Sequence, residues 1–257
     1  MTNELVAAAD TLRSLHRPGH PVVFANVWDA ASAELVEAAG FPAIATSSAA
    51  VAEAIGHTDH QGAPADEMLA AAGRIARAVS VPVTVDAEAG YGLSADNLVQ
   101  RLLAAGAVGL NLEDTDHAAG GRRMVDVRRQ AEWLADVRAA AERAGVPVVI
   151  NARIDVVVMA GRPADEQSLV EPIVERATAY LAAGADCVYP ILLHTPAAIR
   201  QVVAAVAPAP VNVTCAPDRV EITAAAELGV ARVSMGGGLW RVVLAGLAER
   251  LAVLAAD

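Results

Sequence analysis

The chain has 257 residues, a formal net charge of -11, 55% hydrophobic residues and only 3% aromatic residues. That length suits one large α/β domain, and a core built from Ala, Val, Leu and Ile has ample material. The acidic balance and the lack of a Lys/Arg-rich run exclude nucleic acid and anionic membrane as partners.

The two cysteines, Cys187 and Cys215, are too few for a disulfide framework and fit a reducing cytoplasm. The N-terminus carries Glu4 and Asp10 within an apolar-periodic stretch and lacks the basic start of a signal peptide. No apolar run approaches the roughly 18 uncharged residues of a membrane span.

In chain order, 1–15 reads as a helix stopped by Arg17-Pro18-Gly19. Then a unit repeats: a short apolar run, a turn, and an Ala-rich amphipathic segment often closed by Ala-Gly or Leu-Gly. The runs are 22–27, 43–48, 83–88, 109–114, 148–155, 187–192, 211–215 and 232–236. The helices between them are expected at about 30–39, 65–79, 95–105, 128–144, 169–183, 196–206 and 220–228, with Gly237-Gly238 opening a helical tail. Eight strands, each followed by a helix, predict a single (β/α)₈ TIM barrel over about 20–238 with a C-terminal helical tail over 239–257. An open doubly wound sheet is the alternative. It would show a Gly-rich first turn, and Asn26-Val27-Trp28-Asp29 is not one.

In a barrel, chemistry sits at the C-terminal ends of strands. Ser47, Asp86, Glu88, Glu113, Arg153 and Asn212 place polar groups there. Alternation along the strand puts Asp86 and Glu88 on one side, where like charges repel unless a cation intervenes. Oxygen donors suit Mg²⁺, so Asp86, Glu88 and Glu113 are a candidate acidic cluster holding Mg²⁺ directly or through water, with Mn²⁺ as the substitute. Arg153 is either an ion-pair partner of that cluster or a bidentate holder of a substrate carboxylate. Metal plus arginine is the arrangement expected for a 2-oxo acid.

The segments Asn26 to Ala30, Ala39-Gly40-Phe41, Ile44 to Ser48, Asp86 to Gly92, Asn111 to Thr115 and Asn151 to Asp155 together resemble the isocitrate lyase/phosphoenolpyruvate mutase superfamily. The resemblance runs from about 24 to 238. It implies a Mg²⁺-dependent enzyme that makes or breaks C–C or P–C bonds beside a 2-oxo acid through an enolate-like species. It also implies a homo-oligomer, dimer or tetramer, with the terminal helix exchanged between barrels. By matching motif, Asp86, Glu88 and Glu113 correspond to the metal-site acids. Ser47 and Ser48 correspond to the loop on the substrate carboxylate and keto oxygen, and Arg153 to the carboxylate-binding arginine. Asp59 corresponds to a mobile acid and Asn212 to a substrate-side polar residue.

The departures bear on the reaction. The lid cysteine of the isocitrate and methylisocitrate lyases is missing from Asp114 to Arg123, as is the lysine of the phosphonate-processing members. His117 is the candidate for the vacant acid/base role. His57 and His60 flank Asp59 on a loop, solvated or gating, and Arg122-Arg123 lie on the lid surface or close over a second carboxylate. A lyase or decarboxylase of a small 2-oxo or 2-hydroxy (di)carboxylic acid is the expected function. A P–C bond enzyme on phosphonopyruvate, or a non-catalytic 2-oxo-acid-binding barrel, is the alternative.

Overall fold

The computed structural model describes residues 2–120, 123–161, 165–218 and 221–256. Their strands are β1 (Val22–Phe24), β2 (Asn26–Val27), β3 (Ile44–Thr46), β4 (Val83–Asp86), β5 (Gly109–Glu113), β6 (Val149–Ile154), β7 (Cys187–Pro190), β8 (Asn212–Thr214) and β9 (Arg232–Ser234). Every pairing is parallel. One ladder runs β2-β3-β4-β5-β6-β7 and the other β1-β9-β8. A parallel bridge from Val188 to Val211 joins β7 to the approach of β8. β1 and β2 are halves of one stretch broken at Ala25, and each half pairs with a different neighbour. The order is therefore circular, with eight staves, which is the expected barrel. Both faces of these strands are covered, which explains why they read as near-continuous apolar runs rather than alternating ones.

The seam at Ala25 is clasped by a side chain. Asn26 Nδ2 donates to the Thr46 carbonyl at 2.8 Å, while its Oδ1 accepts from the Met235 and Gly236 N–H groups at 2.9 and 3.0 Å. The helix Thr2–Ser14 plugs the N-terminal end of the barrel. A Cβ on Gly109, the first residue of β5, would stand 2.6 Å from Leu12 Cδ2 and 2.9 Å from Thr84 Oγ1, so a side chain there would force these neighbours to shift. Inside the barrel, Arg232 is fully buried over the Phe24 ring at 4.3 Å.

Two helices were not legible. The second apolar run ends at Thr46 rather than Ser48, because Ser47 caps a helix Ser48–Ala54 by accepting from the Ala50 N–H. A five-residue helix, Val156–Ala160, follows β6 despite three consecutive valines. The helix expected from 220 begins at Ile222, and Val220 lies outside the described residues.

The helix Gly238–Leu254 leaves the barrel with apolar side chains bare. Trp240 anchors its start, 5.0 Å from the Trp28 ring and with Nε1 donating to Glu53 at 2.6 Å. Beyond it, Val242, Leu247 and Leu251 are each more than half exposed (57%, 53% and 54%). Among the described residues no helix is long and apolar enough to cross a membrane.

Replacing Asn26 by alanine removes three hydrogen bonds across the seam. It should cost about 2 kcal/mol of unfolding free energy, measured by urea denaturation. A loss below about 0.5 kcal/mol would show that the barrel closes without this clasp.

Candidate active site

The polar groups converge at the C-terminal ends of β3 to β6. Asp86 is the last residue of β4. Its N–H donates to Thr46 Oγ1 at 2.9 Å, and its Oδ2 accepts from the Ser48 N–H at 3.2 Å and the Ser48 hydroxyl at 2.8 Å. The other oxygen, Oδ1, is buried with no hydrogen-bond partner. Glu88 stands past the strand with φ +49, a left-handed conformation that costs a non-glycine residue on the order of 1 kcal/mol. Alternation therefore does not bring it beside Asp86; the turn does. Its Oε2 accepts from the Gln61 N–H. Burial, and then the Asp86 charge, push the Glu88 carboxyl up to about 8.

Parallel register sets Glu113, the last residue of β5, beside Arg153 of β6. Glu113 Oε2 pairs with Arg153 Nη1 at 2.6 Å, and Oε1 meets His117 Nε2 at 2.5 Å. The Glu113 N–H donates to the Glu88 carbonyl at 2.8 Å, which ties the two acids together. Burial pushes the Glu113 carboxyl up, against the pull of Arg153. The hydrogen bond to Glu113 raises His117, so its imidazole holds a proton more readily than usual.

Arg153 is engaged by protein on two sides. Beyond Glu113, its Nε and Nη2 donate to the two Asp155 oxygens at 2.7 and 3.1 Å. Three of its five N–H groups are thus used and two are left. It lines a cavity of about 300 Å³ with His60, His117, Asp155 and Met159. The His60 and His117 rings are 5.9 Å apart. Asp59 is half-buried on the same loop and contributes to the upward shift of Glu88. A larger hollow of about 590 Å³ lies beside Trp133 and Arg129 and includes none of these acids.

Ser47, Ser48, Asp86, Glu88, Glu113, His117 and Arg153 are thus brought together, with Asp59 nearby. Asn212 is not at a strand's far end. It opens β8 inside the barrel, fully buried, donating to Ser234 Oγ at 3.1 Å, with its Oδ1 unpartnered. The strand β8 is short and begins at this residue, which puts Asn212 opposite Arg232 rather than at the rim. The Tyr91 phenol donates to the Asp86 carbonyl at 3.2 Å. Cys187 is fully buried and Cys215 half-buried, both free thiols. Arg123 is exposed and pairs with Asp116 at 3.0 Å, while Arg122 lies outside the described residues. Sequence reasoning missed the role of Asp155. Its position two residues after Arg153 was the available signal, since alternation sets both on one side.

Whether the donors suit Mg²⁺ is decided by their free oxygens. Among the described residues no three His, Cys, Asp or Glu side chains stand close enough to enclose an ion. Both Glu113 oxygens are taken. Asp86 Oδ1 is orphaned, however, and Glu88 is destabilised by its neighbour's charge, so a hard cation would relieve both. Mg²⁺ is commonly held by one or two carboxylates and several waters, and Asp86 and Glu88 supply two such carboxylates.

The chain matches the profile described as phosphoenolpyruvate phosphomutase over residues 12–255. It belongs to that family. Within the wider PEP mutase/isocitrate lyase superfamily, it is 32% identical to an uncharacterised protein of Mycobacterium tuberculosis (strain H37Rv), covering 88% of this chain and 81% of that one. It is also 32% identical to 2-methylisocitrate lyase of Escherichia coli K12, covering 73% and 67%. A third relative is oxaloacetate decarboxylase of Rhodopseudomonas palustris CGA009, 33% identical and covering 70% and 62%. Among solved structures, a candidate phosphonomutase from Burkholderia cenocepacia J2315 superposes with TM-score 0.89 at 40% identity, covering 96% of this chain and 98% of that one. Phosphonopyruvate hydrolase in complex with oxalate and Mg²⁺ does so with TM-score 0.82 at 25% identity, covering 97% and 87%. The family therefore includes proteins named for C–C and for P–C chemistry on the same barrel.

The raised Glu88 carboxyl has a consequence for stability. The folded protein keeps a proton that the unfolded chain releases between about pH 4.5 and 8. Metal-free protein should therefore lose stability as pH rises through that window, by up to about 1.4 kcal/mol per pH unit from this group. Glu88→Gln should flatten the dependence in urea titrations with EDTA at pH 5.5 and 7.5. Identical slopes for the two proteins would mean that Glu88 ionises normally.

Proposed function

We propose that this chain is a Mg²⁺-dependent lyase or decarboxylase of a small 2-oxo or 2-hydroxy (di)carboxylic acid. The observation that carries it is an acid pair with one orphaned oxygen, Asp86 and Glu88, tied through Glu113 to an arginine with two N–H groups to spare. The relatives named as 2-methylisocitrate lyase and oxaloacetate decarboxylase support the same class.

Asp86 and Glu88 would hold the ion, with Glu113 reaching it through water. When bound, Mg²⁺ supplies positive charge that polarises the keto oxygen and offsets negative charge growing there as the bond breaks. Arg153 offers its two remaining N–H groups to the substrate carboxylate, while Asp155 keeps the guanidinium plane fixed. Ser47 and Ser48 line the opposite side, where the Ser48 hydroxyl and N–H orient Asp86. His117 has Nε2 committed to Glu113, so Nδ1 is the nitrogen left to exchange a proton with substrate. Asp59 and His60 close the cavity from the loop, and Asn212 supports the barrel floor. The exposed apolar helix 238–254 packs on a second copy of the chain in a dimer or tetramer, and the cytoplasm is its location.

A P–C bond enzyme acting on phosphonopyruvate is the second reading, favoured by the candidate phosphonomutase at 40% identity. Against it, the chain contains no lysine at all.

A screen of oxaloacetate, 2-methylisocitrate, 2,3-dimethylmalate and phosphonopyruvate with Mg²⁺, followed by NMR, tests both. C–C cleavage products should form and EDTA should abolish them. Asp86→Ala and Arg153→Ala should each lower kcat/KM by about 100-fold or more. Phosphate or phosphoenolpyruvate from phosphonopyruvate would decide for the second reading, and oxalate binding without any turnover would leave a non-catalytic barrel. For assembly, Leu247→Glu with Leu251→Glu should shift sedimentation to the monomer; an unchanged coefficient would remove the helix from the interface.

A further inference from the structure

Behind the catalytic rim lies a second buried cluster that the reaction itself does not touch. Asp114 follows Glu113, so its side chain projects to the other face of the stave, away from the cavity and under the helix Val170–Ala182. There, fully buried, its Oδ2 accepts from the Tyr180 hydroxyl at 2.7 Å and from Arg176 Nη1 at 3.0 Å. Arg176 and Tyr180 are four residues apart on that helix, on one face, and Arg176 Nη1 also donates to the Tyr180 oxygen at 2.8 Å. A charged residue on the apolar face of a helix is costly unless it is paired, and here Arg176 faces the Asp114 carboxylate.

Two further bonds lead from this cluster back to the site. Asp114 Oδ1 accepts the Asp155 N–H at 2.9 Å, and Asp155 grips Arg153 with both oxygens. On the other side, Arg176 Nη1 donates to the Val125 carbonyl at 3.0 Å, and the Val125 N–H donates to the Asp114 carbonyl at 2.7 Å. Val125 ends the loop that carries His117. We propose that Asp114, Arg176 and Tyr180 form a positioning hub, which sets Arg153 through Asp155 and fixes the root of the His117 loop through Val125. The trio thus aligns the anion-holding group and the proton-exchanging group from one point. This inference rests on the reading of Arg153 as the carboxylate holder only for its functional readout, since the geometry stands without it.

A purely packing role would loosen the whole barrel together, whereas a hub loosens two places first. The test uses the full chain, with Asp114→Asn and the milder Tyr180→Phe, which keeps the ring and leaves Asp114 paired to Arg176. Amide hydrogen exchange at Asp155 and Val125 should quicken by about tenfold or more in Asp114→Asn, while Val233 in β9 exchanges as in the wild type. With Mg²⁺ present, calorimetric oxalate Kd should rise by about tenfold in Asp114→Asn and by less in Tyr180→Phe, at a Tm close to the parent. Unchanged exchange at Asp155 and Val125 in both variants overturns the hub, and so does acceleration that includes Val233 equally in both. Failure of the wild type to bind oxalate would sink the functional reading alone, because the exchange rates still decide the hub.

Discussion

The site depends on one guanidinium held between two carboxylates. Arg153 joins Glu113, its neighbour in the parallel ladder, to Asp155, two residues along its own chain. None of the three is exposed enough for water to take over these contacts. Removing Arg153 would leave two carboxylates buried without their cation, a far larger penalty than the net gain of a surface ion pair. The register of β5 against β6 is therefore held by electrostatics at the rim as well as by apolar packing below.

Everything around the site is hung on that chain of charges. Glu113 recruits His117 and, through its own N–H, the backbone of Glu88. Glu88 in turn holds Gln61, so the loop bearing Asp59 and His60 is drawn in over the acids. Asp86 has one buried oxygen without a partner and its charge helps keep Glu88 protonated, an arrangement that a folding requirement alone would not keep. The barrel below supplies rigidity, since its floor is Arg232 against the Phe24 ring and its base is the N-terminal helix.

The barrel was legible because eight apolar runs, each closed by a small-residue helix ending, leave few other ways to bury so much aliphatic surface. The acids Asp86, Glu88 and Glu113, with Arg153, were legible because charge at the end of an apolar run is conspicuous. What escaped were relations rather than residues. The Ser47-capped helix hid in an Ala-rich stretch that also continues a strand. Glu88 reaches the site by a left-handed turn rather than by alternation. Asn212 carries the right residue type at the wrong depth, because strand length decides depth and is poorly encoded. Asp114, Arg176 and Tyr180 lie 62 and 66 residues apart in the chain, and no local pattern links them.

The clasp at Asn26 has a further bearing on how the molecule is made. Its partners are Thr46, close by in the chain, and Met235 and Gly236, more than two hundred residues later. During synthesis the opening stave must wait, its outer edge bare, until the segment carrying Met235 and Gly236 has emerged. Such distant contacts are slow to form and leave strand edges open to wrong pairing meanwhile. The N-terminal helix, lodged against Gly109 and bonded to the carbonyls of Pro147 and Val148, can settle much earlier and shield the half-built cylinder.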